Sequence, residues 1–285
     1  MPEIAFVNGV FMPLAEAVVS VEDRGFQFAD GVYEVLASYG GRPFAQESHL
    51  HRLEHSLKAL HIDLDLGAYG LEGIVREGMA RSGFAETMVY IQITRGTAPR
   101  HHEFPAAGTQ PTVVMTVKQL RRPAAERYEK GVKVVSTPDL RWKRCDIKST
   151  SLLANILAKQ QAAEAGAFEA LLVDGQGRVT EGSSTSVFCV RQGALWTSPA
   201  GPHILPSITR GIVLELAREL KLPVREEFCT LEQYQQADEV FLAGTTTEAM
   251  PVVRIDEHQV ADGKPGPLTR QLRQAFLEYV ARGDW

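Results

Sequence analysis

The chain has 285 residues, 44% of them hydrophobic and 23% charged, with a net charge of −5. This length supports one large domain or two medium ones, each with its own core, and the acidic balance leaves no basic surface for nucleic acid. No apolar run approaches the roughly 18 residues of a membrane span, and the opening Met-Pro-Glu-Ile-Ala-Phe-Val lacks the basic start and apolar stretch of a secretory leader.

Ile4–Val7 and Val10–Met12 flank Asn8-Gly9, a pair that tolerates positive φ, and predict a hairpin. A strand is predicted at Val32–Tyr39, closed by Gly40-Gly41. A helix follows from about Glu47, with Leu50, Leu53, Leu57 and Leu60 on one face, and a second covers Leu71–Arg81. Strands are expected at Thr87–Thr94 and Pro111–Val117. The polar, charged stretch Leu120–Gly131, punctuated by Pro123, reads as a connector. It divides the chain into a domain over residues 1–120, a connector over 121–131 and a domain over 132–285.

Beyond it, Val132–Ser136 reads as a strand, and Ser149-Thr150-Ser151 as the N-cap of a helix reaching Ala165. Two hairpins turn at Asp174-Gly175 and Gln192-Gly193. Ile208, Ile212, Leu216 and Leu220 mark a helix over Ser207–Leu220. Strands at Pro223–Glu227 and Glu239–Ala243 precede a last helix, about Leu268–Ala281, burying Leu268, Leu272, Phe276 and Val280. Strands and helices alternate irregularly, which argues for an α+β fold with a barrel-like sheet and against a doubly wound parallel sheet.

Several segments carry candidate chemistry. Lys148 sits where an extended segment meets the expected helix start, so the helix dipole, with Arg141 and Arg144 nearby, would lower its pKa. A lysine of lowered pKa is what a Schiff base needs; a solvated basic turn is the plain alternative. Glu181, in Thr180-Glu181-Gly182-Ser183-Ser184-Thr185, would pair with a protonated ring nitrogen if buried, or lie on a surface turn. Ile208 and Thr209 open a periodic helix whose N–H groups suit a phosphate. Gly244-Thr245-Thr246-Thr247 offers further donors after a strand, or an ordinary hydroxyl-rich loop. Arg100 and His102, in Thr94–His102, would grip a carboxylate, or form an exposed basic loop. His51 and His55 share a helix face and invite a metal reading, but His49 projects elsewhere and no carboxylate completes a zinc motif. Arg52, beside the leucine stripe, would be able to reach inward as a phosphate ligand. Cys145, Cys189 and Cys229 form no disulfide framework and suggest reduced thiols in a cytoplasm.

This set, in this order, resembles the fold type IV pyridoxal-phosphate enzymes, and within them the D-amino-acid transaminase branch. The resemblance spans nearly the whole chain. It is strongest in Glu22–Phe28 with Asp30–Val35, in Thr94–Phe104, Arg141–Gln161, Thr180–Phe188, Ile204–Gly211 and Phe241–Val252. It implies a small N-terminal α/β domain and a larger domain with a barrel-like sheet. It implies pyridoxal 5′-phosphate, with Lys148 as the Schiff-base lysine and general base, and Glu181 as partner of the pyridine nitrogen. Arg52, Ile208, Thr209 and Thr245 match the phosphate cup, while Arg141, Ser183, Ser184 and Leu205 match positions lining the cofactor. Tyr33, Arg100 and His102 match the trap for the substrate α-carboxylate, the Arg and His coming from the partner subunit in relatives, so a homodimer with shared sites is implied. Gly244 departs from the pattern, standing where a hydroxyl residue is expected. The implied activity is ping-pong transamination between a D-amino acid and a 2-oxo acid. The competing readings are a branched-chain L-amino-acid transaminase, an aminodeoxychorismate-lyase-like enzyme and, from another class, a non-catalytic metal-binding protein.

Overall fold

The computed structural model describes residues 3–283 and Trp285; Met1 and Pro2, part of the N-terminal stretch considered above, and Asp284 lie outside the described residues. Two compact units emerge. The first comprises residues 1–121 with Ile147–Ser151, the second residues 122–146 with 152–285.

In the first unit, β1 (Ile4–Val7) and β2 (Val10–Pro13) form the hairpin. Asn8 and Gly9 both take positive φ (45° and 97°), which the two-residue turn requires. The short α1 (Arg24–Phe28), capped by Asp23, leads into β3 (Gly31–Tyr39) and β4 (Arg42–Pro43). Helices α2 (Gln46–Ala59), α3 (Leu66–Tyr69) and α4 (Leu71–Ser82) follow, then β5 (Thr87–Thr94) and β6 (Thr112–Gln119). The strands join in the order β2-β1-β6-β5-β3-β4, every pair antiparallel. Period-two alternation along β5 turns Val89, Ile91 and Ile93 into the core, where they meet Leu53 and Leu57 of α2 and Val75 of α4. Leu50 and Leu60 close the flank of the same stripe, half-buried.

The second unit opens with α5 (Ala125–Lys130), a helix inside the stretch expected to be a connector. Pro123 precedes the helix and so does not break it, and Tyr128 enters the second core. The next elements are β7 (Val132–Pro138), α6 (Leu153–Glu164), β8 (Glu169–Val173), β9 (Val179–Gly182), β10 (Ser186–Arg191) and β11 (Ala194–Thr197). Then come α7 (Ile208–Glu219), β12 (Val224–Glu226), α8 (Leu231–Gln235), β13 (Glu239–Gly244), β14 (Glu248–Ile255), β15 (His258–Gln259) and α9 (Pro267–Arg282). Their barrel-like sheet runs β12-β11-β10-β13-β14-β7-β8-β9, with β15 on β14. It is mixed: β7 lies parallel to β8 and β14, whereas β10, β13 and β14 are antiparallel neighbours. The expected hairpin at Gln192-Gly193 turns through positive φ at both residues. In α9, Leu272 and Phe276 are buried with Thr269, while Leu268 and Val280 are only half-buried. The fold is α+β. Among the described residues no helix is long and apolar enough to cross a membrane.

Candidate active site

Lys148 belongs to the first unit, and a strand edge positions it. Tyr33 N–H donates to the Lys148 carbonyl (2.9 Å), and Thr150 N–H to the Gly31 carbonyl (2.9 Å). Lys148 N–H donates to Ser56 Oγ of α2 (3.1 Å). The half-buried ammonium stands 4.2 Å from the centre of the Tyr33 ring, which stacks on Tyr90. The sequence expectation differed here. The helix starts at Leu153, with no side-chain cap, five residues past Lys148. Thr150 Oγ1, expected to cap it, donates to the carbonyls of Ala29 (2.9 Å) and Gly31 (3.1 Å). Arg141 is bound by Asp139 and Glu181, and Arg144 by Asp146.

Successive residues of a strand face opposite sides, so Tyr33 faces Lys148 while Glu34 turns into the core. Glu34 is fully buried and receives Arg52 Nε (2.6 Å) and Nη2 (2.9 Å) together with His49 Nδ1 (2.8 Å). Burial would raise its pKa, but Arg52 and the His49 and Arg52 hydrogen bonds outweigh this and hold the carboxyl well below the usual range. Burial pushes His49 down against the pull of Glu34. His49 is thus a core residue bonded to a carboxylate, while His51 and His55 are exposed. Among the described residues no group of three or more His, Cys, Asp or Glu could hold a metal ion.

Arg100 and His102 meet on one aromatic ring. The Arg100 guanidinium lies 4.8 Å from the Phe28 centroid, and the His102 ring packs edge-on at 5.6 Å. Both side chains are exposed.

In the second unit, Glu181 lies on β9, 6% exposed. It accepts hydrogen bonds from Arg141 Nη1 and from the Leu205 N–H (3.2 and 3.3 Å to its two oxygens). Burial raises its pKa despite Arg141. Arg141 is shared, since its Nε (2.9 Å) and Nη2 (2.7 Å) also bind Asp139. The next turn is organised by Glu169, fully buried on β8. Its carboxylate accepts from Ser183 Oγ, Ser184 Oγ (2.7 Å) and Thr185 Oγ1 (3.3 Å). At α7 the Ser207 hydroxyl caps the Arg210 N–H (3.2 Å), and helix geometry leaves the N–H groups of Ile208 and Thr209 without intrahelical acceptors. Thr245 lies in the turn that joins β13 to β14, closed by Thr247 N–H to the Gly244 carbonyl (3.1 Å).

Residues 31–255 match the family model for amino-transferase class IV. The chain belongs to the class IV aminotransferases. A D-alanine aminotransferase of Staphylococcus haemolyticus is 40% identical over 275 residues, 96% of this chain and 97% of that protein. Among solved structures, a branched-chain amino acid aminotransferase of Escherichia coli superposes with TM-score 0.91 at 26% identity, covering 98% of this chain and 94% of that one. A second branched-chain amino acid aminotransferase, from T.th. and solved with pyridoxamine 5′-phosphate, gives TM-score 0.89 at 29% identity, over 97% and 93% of the two chains. Class IV aminotransferases thus share one scaffold across different substrates, and substrate choice has to reside in particular side chains. Sequence reasoning missed four charged side chains that organise these segments: Glu34, Asp139, Glu169 and Arg24. Glu34 carried a usable signal, because it shares the two-residue period of Val32 and Leu36, both core residues.

Proposed function

We propose that this enzyme transfers the amino group of a D-alanine-like D-amino acid to a 2-oxo acid such as 2-oxoglutarate or pyruvate, in two half-reactions, with pyridoxal 5′-phosphate as cofactor. The observation that carries the reading is the likeness to a D-alanine aminotransferase along nearly the whole chain. The donor set fits the cofactor. Lys148 offers a primary amine for an aldehyde, and Glu181 a buried carboxylate of raised proton affinity for a ring nitrogen. Ile208, Thr209, Thr245 and Arg52 would hold its phosphate, with Arg141, Ser183, Ser184 and Leu205 lining it. When bound, the cofactor supplies an aldehyde that captures amines and a ring that takes up the electrons of the broken Cα–H bond.

The chain's own residues do the rest. The Lys148 amine would take the proton from the substrate Cα and pass it to the cofactor's C4′ carbon, and would carry it the other way in the second half-reaction. Glu181 keeps a proton on the ring nitrogen. Tyr33, Arg100 and His102 bind the substrate carboxylate, the last two reaching the site from a second copy of the chain. Arg100 supplies a planar fork matched to two oxygens.

A branched-chain L-amino-acid transaminase is the second reading, favoured by the solved structures. The test is turnover of D-alanine against L-leucine with 2-oxoglutarate, for the native enzyme and Lys148→Ala. We expect turnover of D-alanine alone, abolished in the variant. Turnover of L-leucine without D-alanine would transfer the assignment to the second reading.

A further inference from the structure

Arg24 is among the most buried charged residues of the first unit, at 3% exposed, and its guanidinium links three parts of the chain. Nε donates to Asp30 Oδ2 (2.8 Å), Nη1 to the His101 carbonyl (2.6 Å) and Nη2 to the His102 carbonyl (3.4 Å). The guanidinium also lies 4.9 Å from the Phe28 ring, the same ring that Arg100 and His102 touch. Around it the frame is rigid. Arg95 donates to both Asp30 oxygens (2.8 and 2.9 Å) and to the carbonyls of Leu60 (2.7 Å) and His61 (2.9 Å). The Arg24 N–H donates to the Gly96 carbonyl (2.9 Å). Gly96 has φ of +98°, and a Cβ there would stand 2.0 Å from the Gln110 carbonyl oxygen, so the base of the loop closes tightly.

We infer that Arg24 is a positioning residue for substrate recognition: by holding the backbone of His101 and His102 and one side of the Phe28 ring, it fixes where Arg100 and His102 present their donors to a substrate carboxylate. The inference rests on the clamp reading of Arg100 and His102. The physical reason is order. Two exposed side chains on a free loop would each lose conformational freedom on binding a carboxylate, and a loop already held by buried, charge-assisted hydrogen bonds has lost it beforehand. Only arginine satisfies the geometry, because a planar fork serves Asp30 and two carbonyls at once, whereas an ammonium paired with Asp30 cannot span them.

The test uses the cofactor-loaded enzyme with Arg24→Lys, Arg100→Ala and the double variant. Arg24→Lys should raise KM for D-alanine and for 2-oxoglutarate about tenfold, leave kcat within about twofold, and leave the visible spectrum of the cofactor unchanged. Because Arg24 acts through the clamp, its effect in the Arg100→Ala background should shrink to the part that runs through His102, so the double variant should raise KM by clearly less than the product of the two single effects. Phe28→Leu, at a half-buried position, removes the shared ring and should raise KM in the same way, which keeps the inference testable if Arg24→Lys does not fold. A wild-type KM in Arg24→Lys or in Phe28→Leu, while Arg100→Ala raises it, would overturn the inference and leave the clamp standing. Effects that multiply in the double variant would also overturn it. A wild-type KM in Arg100→Ala would remove the clamp reading, and this inference with it.

Discussion

Glu34 and Glu181 are both buried carboxylates against an arginine, and they end up with opposite proton affinities. Glu34 receives two N–H groups of Arg52 and one of His49, and its pKa lies far below the usual range. Glu181 receives one guanidinium nitrogen and a backbone N–H, from an arginine that also serves Asp139, and burial wins. What separates them is how many donors each keeps to itself. A carboxylate saturated with donors is a structural anion. One left under-supplied in the same dry surroundings still seeks a positive partner, which is the property a ring-nitrogen partner needs.

The contrast predicts a crossover between activity and stability. The largest expected effect is Glu181→Gln, which should lower turnover about 10²- to 10³-fold, since a neutral amide cannot hold a proton on the ring nitrogen. The melting temperature of cofactor-free protein should hold or rise, because an unfavourably buried charge is removed. Next comes Glu34→Gln, which leaves Arg52 without its anion and should cost about 3–5 kcal/mol of stability, read by thermal melting of cofactor-free protein. If Glu181→Gln melts the protein as far as Glu34→Gln does, the two sites are the same kind of ion pair and the distinction fails.

The signs with pH follow from the same shifts. Glu34 has a folded pKa below its unfolded value of about 4.3, so its stabilisation is complete above that value and is lost as pH falls through the acid range. Glu181 has a folded pKa above its unfolded one, so protonation favours the folded state as pH falls toward about 4.3. Wild type should lose more melting temperature between about pH 5 and 3 than Glu34→Gln does. Parallel melting curves for the two would show that Glu34 is not ionised in the fold.

Most strands and helices were legible because their apolar periods are local. Val89, Ile91 and Ile93 alternate into one core, and Ile212 and Leu216 recur at helical spacing. The errors fall where distant partners overrule local preference. Ser149-Thr150-Ser151 has the composition of an N-cap, yet Thr150 spends its hydroxyl on carbonyls about 120 residues earlier in the chain. Nothing within a window around Thr150 carries that information. The charged stretch before Val132 looked like a connector, yet Tyr128 anchors a helix in the second core. Lys148, Glu181, Arg100 and His102 were reachable as candidates from motifs. The partners of Arg24, Asp139 and Glu169 were not, because a charge withdrawn from solvent shows its role only once its partners are in place.

The smallest expected effect concerns Gly244, where a hydroxyl residue was anticipated. The fold does not require glycine there. A Cβ at this position would stand 3.5 Å from Thr185 Cγ2, 3.8 Å from the Ser184 carbonyl oxygen and 3.8 Å from Thr247 Cβ, all ordinary contacts. The position is buried at the end of β13, so the added hydroxyl of Gly244→Ser should lower the stability of cofactor-free protein by about 1 kcal/mol. If the turn bearing Thr245 contributes to the phosphate site, the added hydroxyl, worth about 1 kcal/mol as a hydrogen bond, should tighten cofactor affinity about fivefold, read by titrating cofactor-free enzyme with pyridoxal 5′-phosphate. An unchanged affinity in a normally folded variant would remove this turn from the phosphate site and leave Ile208 and Thr209, at the open end of α7, as its principal donors in the second unit.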